Sequence, residues 1–415
     1  MNAPRPFSVM TKPIGPRCNI DCTYCYYLEK EKLFPQEKKF RMSDEVLETY
    51  IRQTIETSVE GGMREVPFAW QGGEPTMLGV DFFRRVVALQ NKYLPQGVRV
   101  ANAFQTNGIL LDDDWGRFFK ENEFLVGISI DGPDRVHNRY RVDRQGRATF
   151  DKVMAGLEVL QKHAVDYNAL TTVHRANGGK GKEVYRFLKG LGITFMQFIP
   201  IAERNSAAGG GLAGAPQVDM DPGNKVTDWS VSPKAYGKFL CDIFEQWFKQ
   251  DIGTIFVQHF DTMLALWMGQ PSPLCVFAET CGNGLALEHS GNLYSCDHYV
   301  YDDFLLGNIT ETPMRDMVWS DRQMQFGRDK QAALTGQCQA CSFRFACNGG
   351  CPKHRFALSK SGEEGHDYFC ESHTMFFKQC GKRIGDMAQL VRMGRPAWQA
   401  SPQMLRNPPK NQTLP

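Results

Sequence analysis

Three cysteines lie close together in Cys18-Asn19-Ile20-Asp21-Cys22-Thr23-Tyr24-Cys25, which places three thiols on one short loop directly after a predicted strand. A cubic 4Fe-4S cluster takes four ligands, so three cysteines from one loop leave one iron with an open coordination position. The same thiols would also suit a zinc ion completed by a distant ligand, or a group of core cysteines. The motif therefore favours a metal site but does not identify the metal.

The whole-chain composition is that of an ordinary globular protein. The 415 residues carry 48 Lys and Arg against 46 Asp and Glu, a net charge of +2, so no global field favours nucleic acid, a membrane or a polyanionic substrate. The N-terminus has no secretory pattern and no stretch reaches the length of a membrane span, which predicts a cytoplasmic protein. Thirteen cysteines in a reducing compartment indicate metal or redox chemistry rather than disulfides.

The first half of the chain alternates short β-branched or aromatic runs with helical patterns, which is typical of β/α units around a parallel sheet. The predicted strands are Phe7–Thr11, Val66–Gln71, Arg99–Thr106, Leu125–Ile130, Asp166–Val173 and Thr194–Pro200. The predicted helices are Ser43–Ser58, Asp81–Tyr93, Asp112–Glu121, Phe150–His163 and Lys182–Leu191, with Ser43 and Asp112 as N-caps. Six units ending near residue 200 predict an α/β fold, a partial (β/α)6 TIM-like barrel, rather than a closed eight-unit barrel.

The remaining chain divides by composition. Residues 1–230 are predicted to form the barrel, and within them residues 205–224, rich in Gly, Ala and Pro, are predicted to be a mobile loop. Residues 231–273 form a helical connector, whose first helix is capped by Ser232 with Pro233 at the first helical position. Residues 274–382 form a C-terminal cysteine-rich domain held by metal, and residues 395–415 are predicted to be a disordered tail.

Polar side chains recur at the ends of the predicted strands. They are Gln71, Gln105, Asn107, Ser129, Asp131 and Gln197. Ligand sites of β/α barrels lie at the C-terminal ends of the strands, so these side chains predict the polar rim of a cofactor site. Each alone would also suit a helix cap or a turn. Gly72-Gly73-Glu74-Pro75 follows the second strand and, in isolation, reads as a turn.

Eight further cysteines are clustered in the C-terminal domain. They are Cys275, Cys281, Cys296, Cys338, Cys341, Cys347, Cys351 and Cys370. Eight thiolates complete two four-ligand sites, and their spacing does not distinguish zinc from iron–sulfur. The N-terminal motif in the same chain favours iron–sulfur. The remaining Cys241 and Cys380 are predicted to be small buried core residues.

The cysteine motif, with Tyr24 before its last cysteine, resembles that of the radical S-adenosylmethionine (SAM) superfamily. Gly72-Gly73-Glu74-Pro75 looks like the loop that meets the amino group of SAM in that superfamily. The C-terminal pattern resembles the SPASM extension. This resemblance implies three 4Fe-4S clusters, the first SAM-binding and the others auxiliary. Their implied ligands are Cys18, Cys22 and Cys25; Cys275, Cys281, Cys296 and Cys351; and Cys338, Cys341, Cys347 and Cys370.

A narrower resemblance runs from about Phe7 to Lys382. It rests on the first motif with Gln71–Thr76, Gln105–Gly108, Gly127–Pro133, Gln197–Ile199 and Cys296–Tyr299. Together these segments resemble the anaerobic sulfatase-maturating enzymes, which convert a serine or cysteine in the active-site motif of a sulfatase to Cα-formylglycine. The resemblance implies that a 5′-deoxyadenosyl radical takes a Cβ hydrogen, Asp297 takes the side-chain proton, and an auxiliary cluster takes the electron.

The same resemblance assigns the SAM contacts and the partners. The cofactor contacts would be Tyr24, Gly72, Gly73, Glu74, Ser129, Arg141 and Ala202. The implied partners are an unfolded or nascent sulfatase with a Cys/Ser-x-Pro-x-Arg motif and a reductant such as flavodoxin or ferredoxin. His298 and Tyr299 are alternatives to Asp297 as the base. Without the resemblance, an aspartate after a cysteine would more often be a solvated turn acid bonded to a backbone amide.

Two other functions remain open. The first is a SPASM enzyme that forms a thioether or carbon–carbon crosslink in a ribosomal peptide. Such enzymes often carry an N-terminal peptide-recognition domain, and the seventeen residues before Cys18 are too few for one. The second is a non-catalytic binding protein held by zinc, which the metal content of anaerobically purified protein would reveal.

Overall fold

A computed structural model describes residues 4–35, 37, 39–209, 211–221 and 223–409. Its strands are β1 (Ser8–Lys12), β2 (Glu65–Trp70), β3 (Arg99–Thr106), β4 (Leu125–Ser129), β5 (Tyr167–Val173), β6 (Phe195–Pro200), β7 (Phe256–Val257), β8 (Gly284–Glu288), β9 (Asn292–Tyr294) and β10 (Leu305–Asn308). Its helices are α1 (Asp44–Glu60), α2 (Val80–Tyr93), α3 (Asp113–Glu121), α4 (Asp134–His137), α5 (Phe150–Lys162), α6 (Gly181–Gly190), α7 (Pro233–Gln250), α8 (Gln258–Trp267), α9 (Met314–Val318), α10 (Asp321–Ala332), α11 (Gly336–Gln339), α12 (Arg344–Cys347), α13 (Cys370–Arg392) and α14 (Pro402–Arg406).

The chain forms two compact units, each assembled from separated segments. The first unit contains the chain up to Ser129 together with Asn138–Tyr167 and Cys281–Asp329. The second contains Ile130–His137, Asn168–Thr280 and the chain from Lys330 onward. None of the helices in the described ranges has both the length and the apolarity needed to cross a bilayer.

The first unit is built on a sheet whose strands follow the order β10-β9-β8-β1-β2-β3-β4. Strands β1 to β4 are parallel, and β8 pairs in parallel with the other edge of β1, from Ser8 opposite Gly284 to Lys12 opposite Glu288. Helices α1, α2 and α3 connect β1 to β4 in succession, because parallel strands need a crossover. Aromatic side chains pack between these helices and the sheet. The ring centres of Phe83 on α2 and Phe104 on β3 are 4.9 Å apart.

The pairing of β8 with β1 has a consequence for domain boundaries. The predicted C-terminal domain begins at residue 274, but β8, β9 and β10 continue the sheet of the first unit. A boundary drawn along the sequence at this point therefore does not coincide with a boundary between compact units.

The second unit combines the strands β5, β6 and β7, in that order, with long helices. Helix α13 packs along α7, and Ser372 donates a hydrogen bond of 2.6 Å to the carbonyl of Pro233. The core between the helices is aromatic: the ring of Phe376 lies 5.7 Å from those of Phe244 and Phe260. Cys241 and Cys380 are buried on α7 and α13, which confirms their prediction as core residues.

The predicted strands and helices of the first half are confirmed, with ends that differ by at most two residues. The caps are confirmed as well. Ser43 accepts a hydrogen bond from the amide of Val46, Asp112 accepts from two amides of the first turn of α3, and Ser232 accepts from the amide of Ala235.

The predicted disorder of the tail is wrong for the part that the structure describes. Residues Ala397–Ala400 form a 3-10 turn, α14 follows, and Met404 and Ser401 are buried. A single apolar anchor and a Ser401 cap order this segment, although it lacks a periodic pattern. Residues 410–415 lie outside the described residues.

The mobility predicted for residues 205–224 stays a prediction. Arg204 donates to the carbonyl oxygens of Gly214 at 2.8 Å and Asp219 at 2.7 Å, which ties the described part of this segment together. Gly210 and Pro222 lie outside the described residues.

Candidate active site

The cysteine motif occupies the loop that leaves the C-terminal end of β1. Cys18 and Cys22 are buried and Cys25 is partly exposed, and the amide of Cys25 donates to the carbonyl of Cys22 at 2.9 Å in a tight turn. Asn107, at the end of β3, brings its Nδ2 to 3.8 Å from the sulfur of Cys18. Arg144 donates to the carbonyl of Cys18 at 2.6 Å. The loop is therefore fixed by its own turn and by neighbouring polar side chains.

The buried thiols of this loop are suited to bind a soft metal centre. Burial, with the nearby charge of Glu74, raises the pKa of Cys18 to about 12, and burial also raises the pKa of Cys25. Such thiols hold their protons unless a metal ion displaces them. Three soft donors on one loop fit an iron–sulfur cluster that keeps one iron open.

The glycine pair after β2 is required by close contact with the cysteine loop. The amide of Gly73 donates to the carbonyl of Gly15 at 2.8 Å, and a Cβ at Gly73 would lie 1.8 Å from the carbonyl oxygen of Arg17. Gly72 has a φ of 134°, a conformation that favours glycine. The Gly72-Gly73 backbone thus lies directly against the start of the metal-binding loop.

Glu74 is buried and holds the ends of β2 and β3 together. Its carboxylate accepts hydrogen bonds from the side chains of Thr76 at 2.6 Å and Thr106 at 2.8 Å and from the amide of Asn107 at 2.7 Å. Burial raises the pKa of Glu74 above its ordinary value. Because protein donors occupy both carboxylate oxygens, the contact with SAM predicted for Glu74 would involve its backbone rather than its side chain.

The other predicted SAM contacts fall on both units. In the first unit, the guanidinium of Arg141 lies 5.5 Å from the ring centre of Tyr24, a cation–π distance. Ser129, at the end of β4, accepts a hydrogen bond of 3.1 Å from Gln105. Ala202 is buried just after β6 in the second unit. The first unit therefore brings an aromatic ring, a cation and a hydroxyl to the sheet edge or the adjoining loops.

Asp297 opens a 3-10 turn immediately after Cys296 in the first unit. Its side chain is only 14% exposed, its Oδ1 lies 2.5 Å from the ammonium of Lys12, and its Oδ2 accepts a 2.6 Å hydrogen bond from Tyr26. The interpretation as a solvated turn acid is therefore wrong. Burial favours a higher pKa for Asp297, but the charges of Lys12 and His298 and the hydrogen bonds from Lys12 and Tyr26 outweigh it and lower the pKa.

Lys12 and Tyr26 are site residues that the sequence motifs do not single out. A signal for Lys12 was present: it is a charged last residue of its strand, at the strand end where barrel sites lie. Tyr26 directly follows Cys25, and no spacing rule distinguishes it from Tyr27. Only the folded chain, which brings residue 297 next to β1, shows that Lys12 and Tyr26 contact Asp297.

A second group of cysteines lines a cavity of about 270 Å³ in the second unit. The cysteines are Cys338, Cys341, Cys347 and Cys370. Burial raises the pKa of Cys347 above its ordinary value and that of Cys370 to about 11, so these thiols also hold their protons without a metal. Four soft donors around one cavity fit a complete four-ligand iron–sulfur site.

The remaining four cysteines are divided between the units. Cys281 and Cys296 belong to the first unit, and the amide of Cys281 donates to the carbonyl of Gly327 at 3.2 Å. Cys275 and Cys351 belong to the second unit, where Lys330 donates to the carbonyl of Cys275 at 2.7 Å. Their assignment to one cluster stays a prediction of the resemblance.

Comparisons with known proteins agree with this chemistry. A profile of the radical SAM superfamily matches residues 13–188, and a profile described as an iron-sulfur cluster-binding domain, SPASM, matches residues 275–342. The serine-type anaerobic sulfatase-maturating enzyme of Bacteroides thetaiotaomicron is 42% identical over 374 residues, which cover 90% of this chain and 89% of that protein. Its counterpart in Klebsiella aerogenes is 34% identical over 400 residues, 96% of this chain and 91% of that protein.

A solved structure extends the comparison to the fold. Native anSMEcpe with bound AdoMet and Kp18Cys peptide superposes with a TM-score of 0.79 at 31% identity, covering 92% of this chain and 99% of that one. The predicted partial barrel with a C-terminal SPASM region is thereby confirmed.

The relatives match at almost full length, and the matched profiles contain both the N-terminal cysteine loop and the start of the C-terminal cysteine series. This agreement excludes the zinc-binding alternative and disfavours the peptide-crosslinking one. The chain uses SAM and iron–sulfur clusters and belongs to the anaerobic sulfatase-maturating enzymes, which convert serine or cysteine to formylglycine by radical SAM chemistry.

Proposed function

We propose that the chain oxidises the serine or cysteine of a Ser/Cys-x-Pro-x-Arg motif in an unfolded or nascent sulfatase, with Asp297 as the base. The observation that carries this proposal is the carboxylate of Asp297, which Lys12 and Tyr26 hold at the end of β1. It is ionised at neutral pH because its pKa is lowered. His298 and Tyr299, which share its turn, are the alternatives if Asp297 fails the test below.

The cysteines support three 4Fe-4S clusters, with SAM at the first. When bound, these groups would supply a 5′-deoxyadenosyl radical for hydrogen abstraction and an acceptor for the electron that the substrate loses. Cys18, Cys22 and Cys25 would hold the first cluster, while Tyr24 and Arg141 would orient SAM. A one-electron reductant of the flavodoxin or ferredoxin class would complete the cycle.

The role of Asp297 follows from the change in acidity during the reaction. Loss of a hydrogen atom from Cβ makes the neighbouring hydroxyl or thiol proton far more acidic, so a carboxylate of low pKa suffices as the base. The serine side chain loses one hydrogen atom, one proton and one electron in total and becomes the aldehyde. A cysteine side chain gives a thioaldehyde, which water converts to the aldehyde with release of hydrogen sulfide.

A serine substrate is favoured by the relatives at 42% and 34% identity, both of which are described as serine-type. The test is anaerobic incubation with SAM, a reductant and peptides that contain Ser-x-Pro-x-Arg or Cys-x-Pro-x-Arg. We expect the serine peptide to be converted to the aldehyde with one 5′-deoxyadenosine per turnover. Release of 5′-deoxyadenosine without change in either peptide would contradict the proposed substrate.

The base assignment is tested by Asp297→Asn. This variant keeps the shape of the side chain but removes its basicity, so aldehyde formation should fall by about 10²- to 10⁴-fold while SAM cleavage continues. Mass spectrometry of the peptide and chromatography of 5′-deoxyadenosine measure the two activities. Asp303→Asn, an exposed carboxylate in the same segment, is the matched control and should leave both unchanged. Normal aldehyde formation by Asp297→Asn would rule out this base.

A further inference from the structure

Lys12 is a buried cation on the strand that leads to the cysteine loop. Its side chain is only 2% exposed, so its ammonium is largely removed from water. Burial of an ammonium group is costly unless charged or polar partners compensate it. The partners of Lys12 therefore indicate how a charged side chain is accommodated at this position.

The contacts of Lys12 join three separate segments of the first unit. The ammonium lies 2.5 Å from Asp297 Oδ1, donates to Gln71 Oε1 at 2.7 Å, and stands 4.4 Å from the ring centre of Tyr27. Gln71 follows β2, so it holds the ammonium from the neighbouring strand. Asp297 receives Lys12 on one oxygen and Tyr26 on the other, which fixes the plane of the carboxylate.

A second buried lysine in this unit allows a comparison with Lys12. Lys30 is 6% exposed, donates to the carbonyl of Val300 at 3.0 Å, and stands 3.4 Å from the ring centre of Tyr301. Lys30 is thus a buried lysine of the same unit whose loss can be compared with the loss of Lys12.

We propose that Lys12 is a positioning residue for formylglycine formation. It fixes the carboxylate of Asp297 in the orientation that receives the substrate proton, with Gln71 as the anchor that keeps the ammonium in place. This inference rests on the proposed role of Asp297. It differs from a purely structural role, in which loss of Lys12 would weaken the fold and reduce SAM cleavage and peptide oxidation together.

The test is Lys12→Met, which keeps the unbranched chain up to the ε position and removes the ammonium group. We expect aldehyde formation to fall by about 100-fold, because small misplacements of a catalytic group have effects of this size. SAM cleavage should persist, so the ratio of 5′-deoxyadenosine to aldehyde should rise sharply. Binding of a labelled peptide to the protein, measured by fluorescence anisotropy, should keep its wild-type affinity. An unchanged product ratio would overturn the proposal.

Three further variants test the same proposal independently of Lys12→Met. Gln71→Leu removes the anchor without leaving a charge unpaired at position 12, and should raise the same ratio by a smaller factor even if Lys12→Met does not fold. Lys12→Arg keeps the positive charge, so its ratio of 5′-deoxyadenosine to aldehyde should be lower than that of Lys12→Met. Lys30→Met, the matched control, should lower the unfolding temperature and leave the product ratio unchanged. A ratio raised equally by Lys30→Met would indicate a structural effect and overturn the proposal.

The double variant Lys12→Met/Asp297→Asn separates this inference from the proposed base. If Lys12 acts through Asp297, the double variant should form no less aldehyde than Asp297→Asn alone, because coupled residues are not additive. Additive losses would show that Lys12 acts elsewhere and overturn the inference. Full aldehyde formation by Asp297→Asn would instead remove the base assignment on which the inference rests.

Discussion

The two cysteine-lined regions of the molecule are built for different tasks. The loop from Cys18 to Cys25 offers three thiols, close-packed glycines and charged side chains that are fixed at the adjoining strand ends. The cavity of the second unit offers four thiols, supplied by α11, α12, the segment between them and the first residue of α13. The two regions share cysteine but differ in the number of thiols and in the side chains around them. These differences make the first region suited to bind a small molecule and the second suited to hold an electron.

The largest expected effect comes from removing one thiol in each region. Cys22→Ala should reduce 5′-deoxyadenosine release to background, since the first region loses a ligand that cannot be replaced. Cys341→Ala should retain SAM cleavage and lose aldehyde formation. Iron content, the visible spectrum and both products measure the difference. Equal loss of SAM cleavage in the two variants would break the comparison.

A smaller effect is expected when the packing of the first region is changed without loss of a ligand. In Gly73→Ala the new Cβ would lie 1.8 Å from the carbonyl oxygen of Arg17, so the backbone must move. A displacement near 1 Å should lower SAM cleavage by about 100-fold. Gly190→Ala, whose Cβ would meet no atom within 4 Å, is the control and should keep full activity. Wild-type SAM affinity and turnover of Gly73→Ala would show that the loop can relax.

The smallest expected effect concerns the scaffold of the second region. Ser232→Ala removes the N-cap of α7, the helix against which α13 packs, and should lower the free energy of unfolding by about 1 kcal/mol. Denaturant unfolding of the protein with its clusters bound, under anaerobic conditions, measures this change. Both products should form at wild-type rates. A marked loss of aldehyde formation would show that the cavity depends on the exact placement of α13.

The elements of the barrel could be predicted because local patterns determine them. Apolar runs, the caps at Ser43 and Asp112, and glycine turns each act over a few residues, and the structure agrees with them closely. The grouping of Cys338, Cys341, Cys347 and Cys370 was also accessible, since the resemblance supplied it and one cavity now collects them.

The partners of Asp297 could not be predicted, because they depend on contacts between distant segments. Lys12 and Tyr26 lie far from residue 297 in sequence, and only the pairing of β8 with β1 brings them together. The order of the tail was missed for a related reason. Met404 is a single apolar residue without a periodic pattern, and its burial depends on tertiary packing.

The parallel pairing of β1 with β8 also bears on biosynthesis. Ser8 leaves the ribosome long before its partner Gly284, and at ordinary translation rates the interval is on the order of tens of seconds. During this time the cysteine loop already exists, while one edge of β1 lacks its neighbour and Lys12 lacks the carboxylate of Asp297. We therefore expect nascent chains to expose an unpaired strand edge and to depend on chaperones until the C-terminal segment emerges.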